Sequence, residues 1–189
     1  MDQIDNFNLI NDEKKYVFLI CHSFQLGCRK YQLGKVTQRK SNAFGIFPVS
    51  LTPEGEEERI FNGLNNPFYS VDSRDWQVIE PSPVAFEKIG AQILAIEKER
   101  PHVDLERCIM AIRFSPYIIG TQFHPEADPT GMKIYLLQEE KKEAIIKNHG
   151  EDKYYDMLHS LENPDRIMLT KSVILPNFLD EAINALQFV

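Results

Sequence analysis

Apolar residues fall in solid blocks over the first two thirds of this chain and at helical intervals over the last third. Tyr16-Val17-Phe18-Leu19-Ile20-Cys21 is a continuous β-branched and aromatic run, the pattern of a strand buried on both faces. From Ser23 the period changes: Phe24, Leu26, Gly27, Tyr31 and Leu33 recur at helical spacing, and Gly34 closes the stretch. Cys21 therefore sits where a strand turns abruptly into a helix. Lys35-Val36-Thr37 and Gly45 to Val49 read as two short strands flanking a turn, with Thr52-Pro53-Glu54-Gly55 closing the second. Phe68 to Val71, Ala91 to Ile96, Cys108 to Phe114 and Ile118 to Phe123 read as further strands. Ser115-Pro116 makes the last two a hairpin. Beyond them Met132 to Asn148, Lys153 to Leu161 and Leu179 to Leu186 carry helical periodicity. Strands lead and helices close, so the fold class is α/β.

Composition narrows the function. The chain has 189 residues, 43% hydrophobic and 26% charged, which suits one globular domain with a real core. A formal net charge of −7 argues against a nucleic-acid surface, since phosphate binding needs clustered Lys and Arg. The basic stretch from Arg29 to Lys40 is interrupted by apolar residues and reads as a solvated face. Three cysteines without a CxxC pair make neither a disulfide framework nor a zinc knuckle, which fits a reducing, cytoplasmic setting. No apolar run reaches the ~20 residues that span a bilayer, and the acidic N-terminus is unlike a signal peptide. No membrane role and no cofactor are expected.

Two segments carry chemistry. A cysteine at a sharp strand-to-helix turn is lifted clear of the sheet, and the helix N-terminus favours negative charge on its sulfur. The backbone N–H of His22 then points at a developing oxyanion. Taken alone, a cysteine ending a buried strand reads more simply as core packing. The second segment is Gly120-Thr121-Gln122-Phe123-His124-Pro125-Glu126. Pro125 holds His124 extended, and Glu126 is placed to fix the imidazole tautomer as the acid of a triad does. An isolated His-Pro-Glu reads equally as a loop histidine with a surface glutamate. His124, Glu126 and Asp128 superficially resemble metal ligands, but Pro125, Pro129 and the lack of a second cluster speak against a metal.

Together, a strand–Cys–helix turn with Gln25 four residues on and the later Gly-x-Gln-Phe-His-Pro-Glu resemble the class I glutamine amidotransferases. Leu33-Gly34-Lys35-Val36, Phe44 to Val49 and Ile60 to Leu64 resemble the family's intervening segments, so the likeness runs from about Tyr16 to Gly131. It is nearest the amidotransferase domain of GMP synthases and their stand-alone relatives. The resemblance implies a flavodoxin-like parallel or mixed sheet with an amidotransferase-like core over 1–131; since no Pro/Gly/Ser linker precedes it, 132–189 is expected to form a helical extension packed on the same domain. The extension's expected buried positions are Tyr135, Leu136, Ile145, Ile146, Leu158, Leu161, Phe178 and Leu179.

The chemistry it implies is attack by Cys21 on the side-chain amide of glutamine, protonation of the leaving ammonia by His124, orientation by Glu126, and hydrolysis of a glutamyl thioester. Glutamine or a γ-glutamyl small molecule is the implied substrate. The implied acceptor of ammonia is a partner synthase domain or subunit. His22 and Gln25 match substrate-binding positions, and Ser73 and Arg74 stand in the segment that contributes to the glutamine pocket. Arg74 reads either as a clamp for a substrate carboxylate or as an ion-pair partner of Asp72 or Asp75.

The sequence also departs from the family. The elbow's usual glycines, two residues before and two after the cysteine, are Leu19 and Ser23 here, and Phe24 replaces a histidine. The pocket segment reads Val71-Asp72-Ser73-Arg74-Asp75-Trp76-Gln77. The stretch before Cys21 has room for one helix and one strand, where the family has several strands and a Gly-rich loop. The expectation is a fragment of a longer product. The alternatives are a sheet completed by another chain, or a non-catalytic binding and interaction module.

Overall fold

The computed structural model describes residues 15–102 and 104–186. Its centre is a six-stranded mixed sheet made of β1 (Val17–Ile20), β2 (Lys35–Leu51), β3 (Phe68–Ile79), β4 (Gln92–Glu97), β5 (Ile109–Ser115) and β6 (Ile118–Thr121). The strand order is β1-β6-β5-β4-β2-β3, and only β1 and β6 run parallel. β5 and β6 form the expected hairpin. β1 is one of the two edge strands of the described sheet, and of its four positions only Leu19 is buried. The solid apolar run thus reflects contacts on both sides of an edge: Phe18 meets Phe178 at 5.1 Å, and Leu19 packs under the first helix.

That helix, α1 (His22–Tyr31), starts directly at Cys21 and ends at Gln32 in a left-handed cap. It lays Phe24 and Cys28 into a core with Leu33, Ile112 and Phe114. The two short strands expected on either side of a turn are one long strand. The polar run Arg39-Lys40-Ser41-Asn42 looked like a turn, but β2 crosses it with an irregularity between Gln38 and Ala43 while still paired to β3. Pro48 is tolerated because β4 pairs β2 only from Val49 onwards. β3 likewise continues past Val71 to Ile79, through the segment likened to the family's pocket segment.

Short helices follow from their caps. Thr52 Oγ1 accepts from the Gly55 N–H at the start of α2 (Pro53–Glu56), and a 3-10 turn covers Arg59–Phe61. Ser82 caps α3 (Pro83–Ile89), which Gly90 ends in a left-handed conformation. The long helical pattern after the sheet is two helices, α4 (Pro129–Leu136) and α5 (Glu139–His149). Asp128 caps α4 and also pairs with Lys171, so its carboxylate has a structural place. The boundary drawn at 131/132 falls inside α4. α6 (Glu151–Glu162) follows, then a kinked turn and α7 (Leu169–Leu186).

The tail helices pack on the sheet in two places. Leu136, Ile145, Tyr154, Met157 and Leu161 form a core with Ile46 of β2, while Ile174 and Phe178 join Val49, Phe68 and Ile119 in the central core. Ile146 and Leu158 are partly buried against the first of these. Tyr135 and Leu179, expected inside, are about half exposed at 49% and 54%. Each lies on the more exposed face of its helix, since α4 begins at Pro129 and α7 at Leu169, ahead of the apolar residues that mark them in sequence. No described helix is long and apolar enough to cross a membrane.

Candidate active site

Cys21 is the pivot of the site. Its φ of 51° and ψ of −99° lie outside the regions L residues favour, and it links β1 directly to α1. Its N–H still continues the sheet by donating to the Thr121 carbonyl at 2.8 Å, while its own carbonyl accepts from the Gln25 N–H at 3.1 Å. One residue thus ends a strand and starts a helix, at a backbone cost of about 1–3 kcal/mol. Ser23 helps hold the bend, since its Oγ accepts from the Ile20 N–H at 2.8 Å and donates to the Ile20 carbonyl at 2.9 Å.

Leu19 at a position expected to want glycine is explained by its neighbours. It pairs with Gly120 across the β1–β6 ladder, and a Cβ on Gly120 would come within 3.0 Å of both the Leu19 Cβ and its carbonyl oxygen. A Cβ on Gly27 would sit 3.0 Å from Leu19 Cδ1. The space is made by glycines on the adjoining strand and helix, so the bulky side chain fits beside the bend.

β6 leads to the second half of the site. After Thr121, Gln122 donates its N–H to the Met110 carbonyl at 2.7 Å, and the His124 N–H donates to Val71 of β3 at 2.9 Å. His124 Nδ1 and Glu126 Oε1 are 2.7 Å apart. The imidazole is pushed up from 6.5 to about 10, first by a hydrogen bond with Cys21 and next by the one with Glu126, both outweighing partial burial. Burial pushes the Glu126 carboxyl up, but the hydrogen bond from His124 and a backbone hydrogen bond bring it below its usual value. The structure therefore brings Cys21, His124 and Glu126 together, with the imidazole between sulfur and carboxylate.

The other expected site residues are placed less uniformly. His22 is exposed at the first turn of α1, beside a cavity of about 240 Å³ that Gln25, Leu26, Arg29 and Trp76 also line. The Gln25 side chain is buried and turned inward. Its Nε2 donates to Gln122 Oε1 at 3.0 Å and to the Trp76 carbonyl at 3.4 Å. Ser73 is exposed on β3 and lines a different cavity, of about 230 Å³, whose walls include neither Cys21 nor His124.

Arg74 takes the ion-pair alternative. It is 4% exposed, its Nε donates to both oxygens of Asp72 at 2.8 and 3.0 Å, and its Nη2 reaches Glu97 at 3.4 Å and Cys108 Sγ at 3.0 Å. Those donors are used inside the sheet. Alternation along β3 is the reason: Asp72 and Arg74 share the inward face, and Ser73 has the outward one.

Cys28 and Cys108 are both fully buried. Burial pushes the Cys28 thiol far up and the Cys108 thiol to about 11, the latter partly offset by Arg74. His149 stacks on Phe44 at 4.7 Å. Among the described residues no group of three or more His, Cys, Asp and Glu side chains could hold a metal ion. The residue that the sequence did not single out is Gln122, fully buried, whose Nε2 lies 3.7 Å from Cys21 Sγ. Its place in the Gly-x-Gln-Phe-His-Pro-Glu run was the available signal.

A cysteine on a strained strand-to-helix bend, facing a histidine oriented by a glutamate, is the arrangement of a thiol-dependent acyl-transfer site. The glutamine amidotransferase class-I family profile matches residues 2–144, and the chain belongs to that family. Among solved structures it is similar to a glutamine amidotransferase from Thermotoga maritima, with a TM-score of 0.66 at 14% identity, covering 96% of this chain and 68% of that one. A glutamine amido transferase from Methylobacillus flagellatus gives 0.61 at 14% identity, covering 96% and 69%. A Thermoplasma acidophilum protein named for one component of GMP synthase gives 0.54 at 16% identity, covering 99% and 69%. At these identities the likeness is one of fold. None of the curated proteins matches the chain in sequence.

Proposed function

We propose that the chain performs the glutaminase half-reaction of an amidotransferase, with Cys21 as nucleophile, His124 as acid and base, and Glu126 as the group that orients the imidazole. The observation that carries this reading is Cys21 on its strained bend, hydrogen-bonded to a His124 that Glu126 holds from the other side. The Cys21 sulfur attacks the side-chain amide carbon, and the carbon–nitrogen bond breaks as His124 gives its proton to the leaving nitrogen. Ammonia departs and a glutamyl thioester remains. Water, deprotonated by the now neutral His124, attacks that thioester, releasing glutamate and restoring the thiol. The His22 N–H at the start of α1 is one donor to the oxyanion, and loss of one such donor costs about a hundred- to a thousand-fold. The ammonia passes to a synthase domain or subunit, or the same chemistry hydrolyses a γ-glutamyl compound.

The specific observation favouring a second reading, an amidotransferase-like binding module without turnover, is that Gln25 and Arg74 both direct their donors into the protein. Ammonia release from glutamine and from γ-glutamyl amides, with mass-spectrometric detection of a glutamyl adduct on Cys21, separates the two. Turnover that Cys21→Ser abolishes is the expected result. A folded chain inert to every such amide would leave the module as the better account.

A further inference from the structure

Beside Asp72 and Glu97 the sheet carries more positive charge than its carboxylates balance. Glu97 is 6% exposed and alone answers three guanidiniums, Arg39 at 3.0 Å, Arg100 at 3.0 Å and Arg74 at 3.4 Å, the last shared with Asp72. Lys98, the next residue, has no carboxylate partner among the described residues and stands over the Phe47 ring at 4.3 Å from its centroid. Lys153 of α6 brings a second ammonium to the same ring, at 4.2 Å, and its carboxylate partner Asp156 is half exposed and 3.8 Å away.

Local structure makes room for that second lysine. A Cβ on Gly45 would collide with the Lys153 side chain, and β4 flanks β2 only from Val49 onwards, so Lys153 can lie along β2 at Gly45 and Phe47. Burial holds its ammonium below the ordinary lysine value; Asp156 opposes that shift, and the nearby Lys98 charge adds to it. The aromatic ring attracts both cations but cancels neither.

These groups border a cavity of about 300 Å³ whose walls include Arg39, Phe47, Lys98 and Arg100 and none of Cys21, His124 and Glu126. Arg100 Nε is buried without a hydrogen-bond partner. In a chain of net charge −7, such a pocket of surplus positive charge is where an anion gains most. A carboxylate would bring one charge. A phosphomonoester brings about two, with three acceptor oxygens to span several donors, and the cavity has space for a small organic remainder beside the phosphate.

We propose that this cavity binds a small phosphomonoester, held mainly by Lys98 and Arg100, with Lys153 completing the charge at the Phe47 rim. The site is separate from the Cys21 centre and does not depend on the reading of Cys21 as nucleophile.

The test is calorimetric titration of the full chain with inorganic phosphate and with glycerol 3-phosphate, at about pH 8 where the phosphate is a dianion. Glycerol, and sodium chloride at matched ionic strength, are the controls. Saturable binding of both phosphates and of neither control is expected. Lys98→Met keeps the apolar stem and removes the charge, and should weaken glycerol 3-phosphate binding roughly tenfold, with Lys153→Met weakening it by about threefold. Lys98→Arg keeps the charge and should bind much as the parent does.

The thermal midpoint without phosphate checks that each variant folds, and where Lys98→Met does not, Lys153→Met decides. A parent chain that shows no saturable phosphate binding overturns the proposal. So does parent-like affinity in the deciding variant, which would place the anion elsewhere. Succinate bound as tightly as glycerol 3-phosphate would overturn the choice of a phosphomonoester.

Discussion

At the scale of single residues, the site is a set of charges and donors held around one sulfur. His124 keeps its proton to about pH 10 because Cys21 and then Glu126 hold it by hydrogen bonds, against an ordinary value of 6.5. A group whose native value is raised binds its proton more tightly when folded. Its stabilisation is fully present below about pH 6.5 and is lost as pH rises towards 10. Glu126 acts at the other end, its contribution present above the ordinary carboxylate value of 4.5 and lost as pH falls below it. His124→Gln should therefore lower the thermal midpoint most near pH 6, with the deficit shrinking steadily by about pH 10. A pH-independent deficit would show that His124 contributes packing and no charge. Cys21, His124 and Glu126 could be read from their neighbours in sequence, because a bend signal and a His-Pro-Glu run are both local. The place of Gln122 beside the sulfur could not, since it depends on where β6 ends beside the Cys21 bend and on a carboxamide arriving from α1.

At the scale of elements, the strand-to-helix turn is made possible by small residues outside it. Leu19 occupies space left by Gly27 on α1 and Gly120 on β6. A Cβ at Gly27 would stand 3.0 Å from Leu19 Cδ1 and 3.2 Å from two Phe114 ring atoms, a fit too tight without movement. Gly27→Ala should cost about 1–3 kcal/mol of unfolding free energy, the range for overpacking. In a Leu19→Ala background the cost should fall by a measurable part of that, because one of the colliding atoms is gone. Strictly additive values from denaturant unfolding would mean that Leu19 does not define the space beside the bend. Such reciprocity is invisible to a reading by position, where Leu19 registers as a misfit and its partners lie eight and about a hundred residues away. Elements with short-range signals were easier: the β5–β6 hairpin follows from Ser115-Pro116, and Ser82-Pro83 with Gly90 carried a legible cap-to-cap helix that hydrophobic spacing alone passed over. The merged β2 was hidden for the opposite reason, since the polar run from Arg39 to Asn42 has turn composition but is held by pairing with β3.

At the scale of the whole molecule, the C-terminal helix is the clamp that closes the sheet's far side. Phe178 lies edge-on to Phe18 at 5.1 Å and to Tyr16 at 6.2 Å, so α7 packs directly against the strand that ends in Cys21. A second attachment crosses from β5: Arg113 bonds both oxygens of Glu58, at 2.6 and 3.0 Å, and reaches Glu181 of α7 at 3.2 Å. Burial works against the guanidinium charge, but the two carboxylates more than restore it. The tail was legible as helical from its period, yet its partners were not, because amphipathic spacing says which face is apolar and not what covers it. Phe178 reads in sequence as one apolar residue among many, and only the arrival of α7 against β1 gives it a place. Phe178→Ala removes an aromatic ring from that contact and should cost about 3–5 kcal/mol, as large-to-small core changes do. Hydrogen exchange should locate the loss. If α7 clamps the edge strand, amides of β1 and the start of α1 should lose protection together with α7, and Cys21 alkylation should lose its selectivity over Cys28. Loss of protection confined to α7, with β1 and the Cys21 bend unchanged, would show that the tail covers the sheet without holding the site.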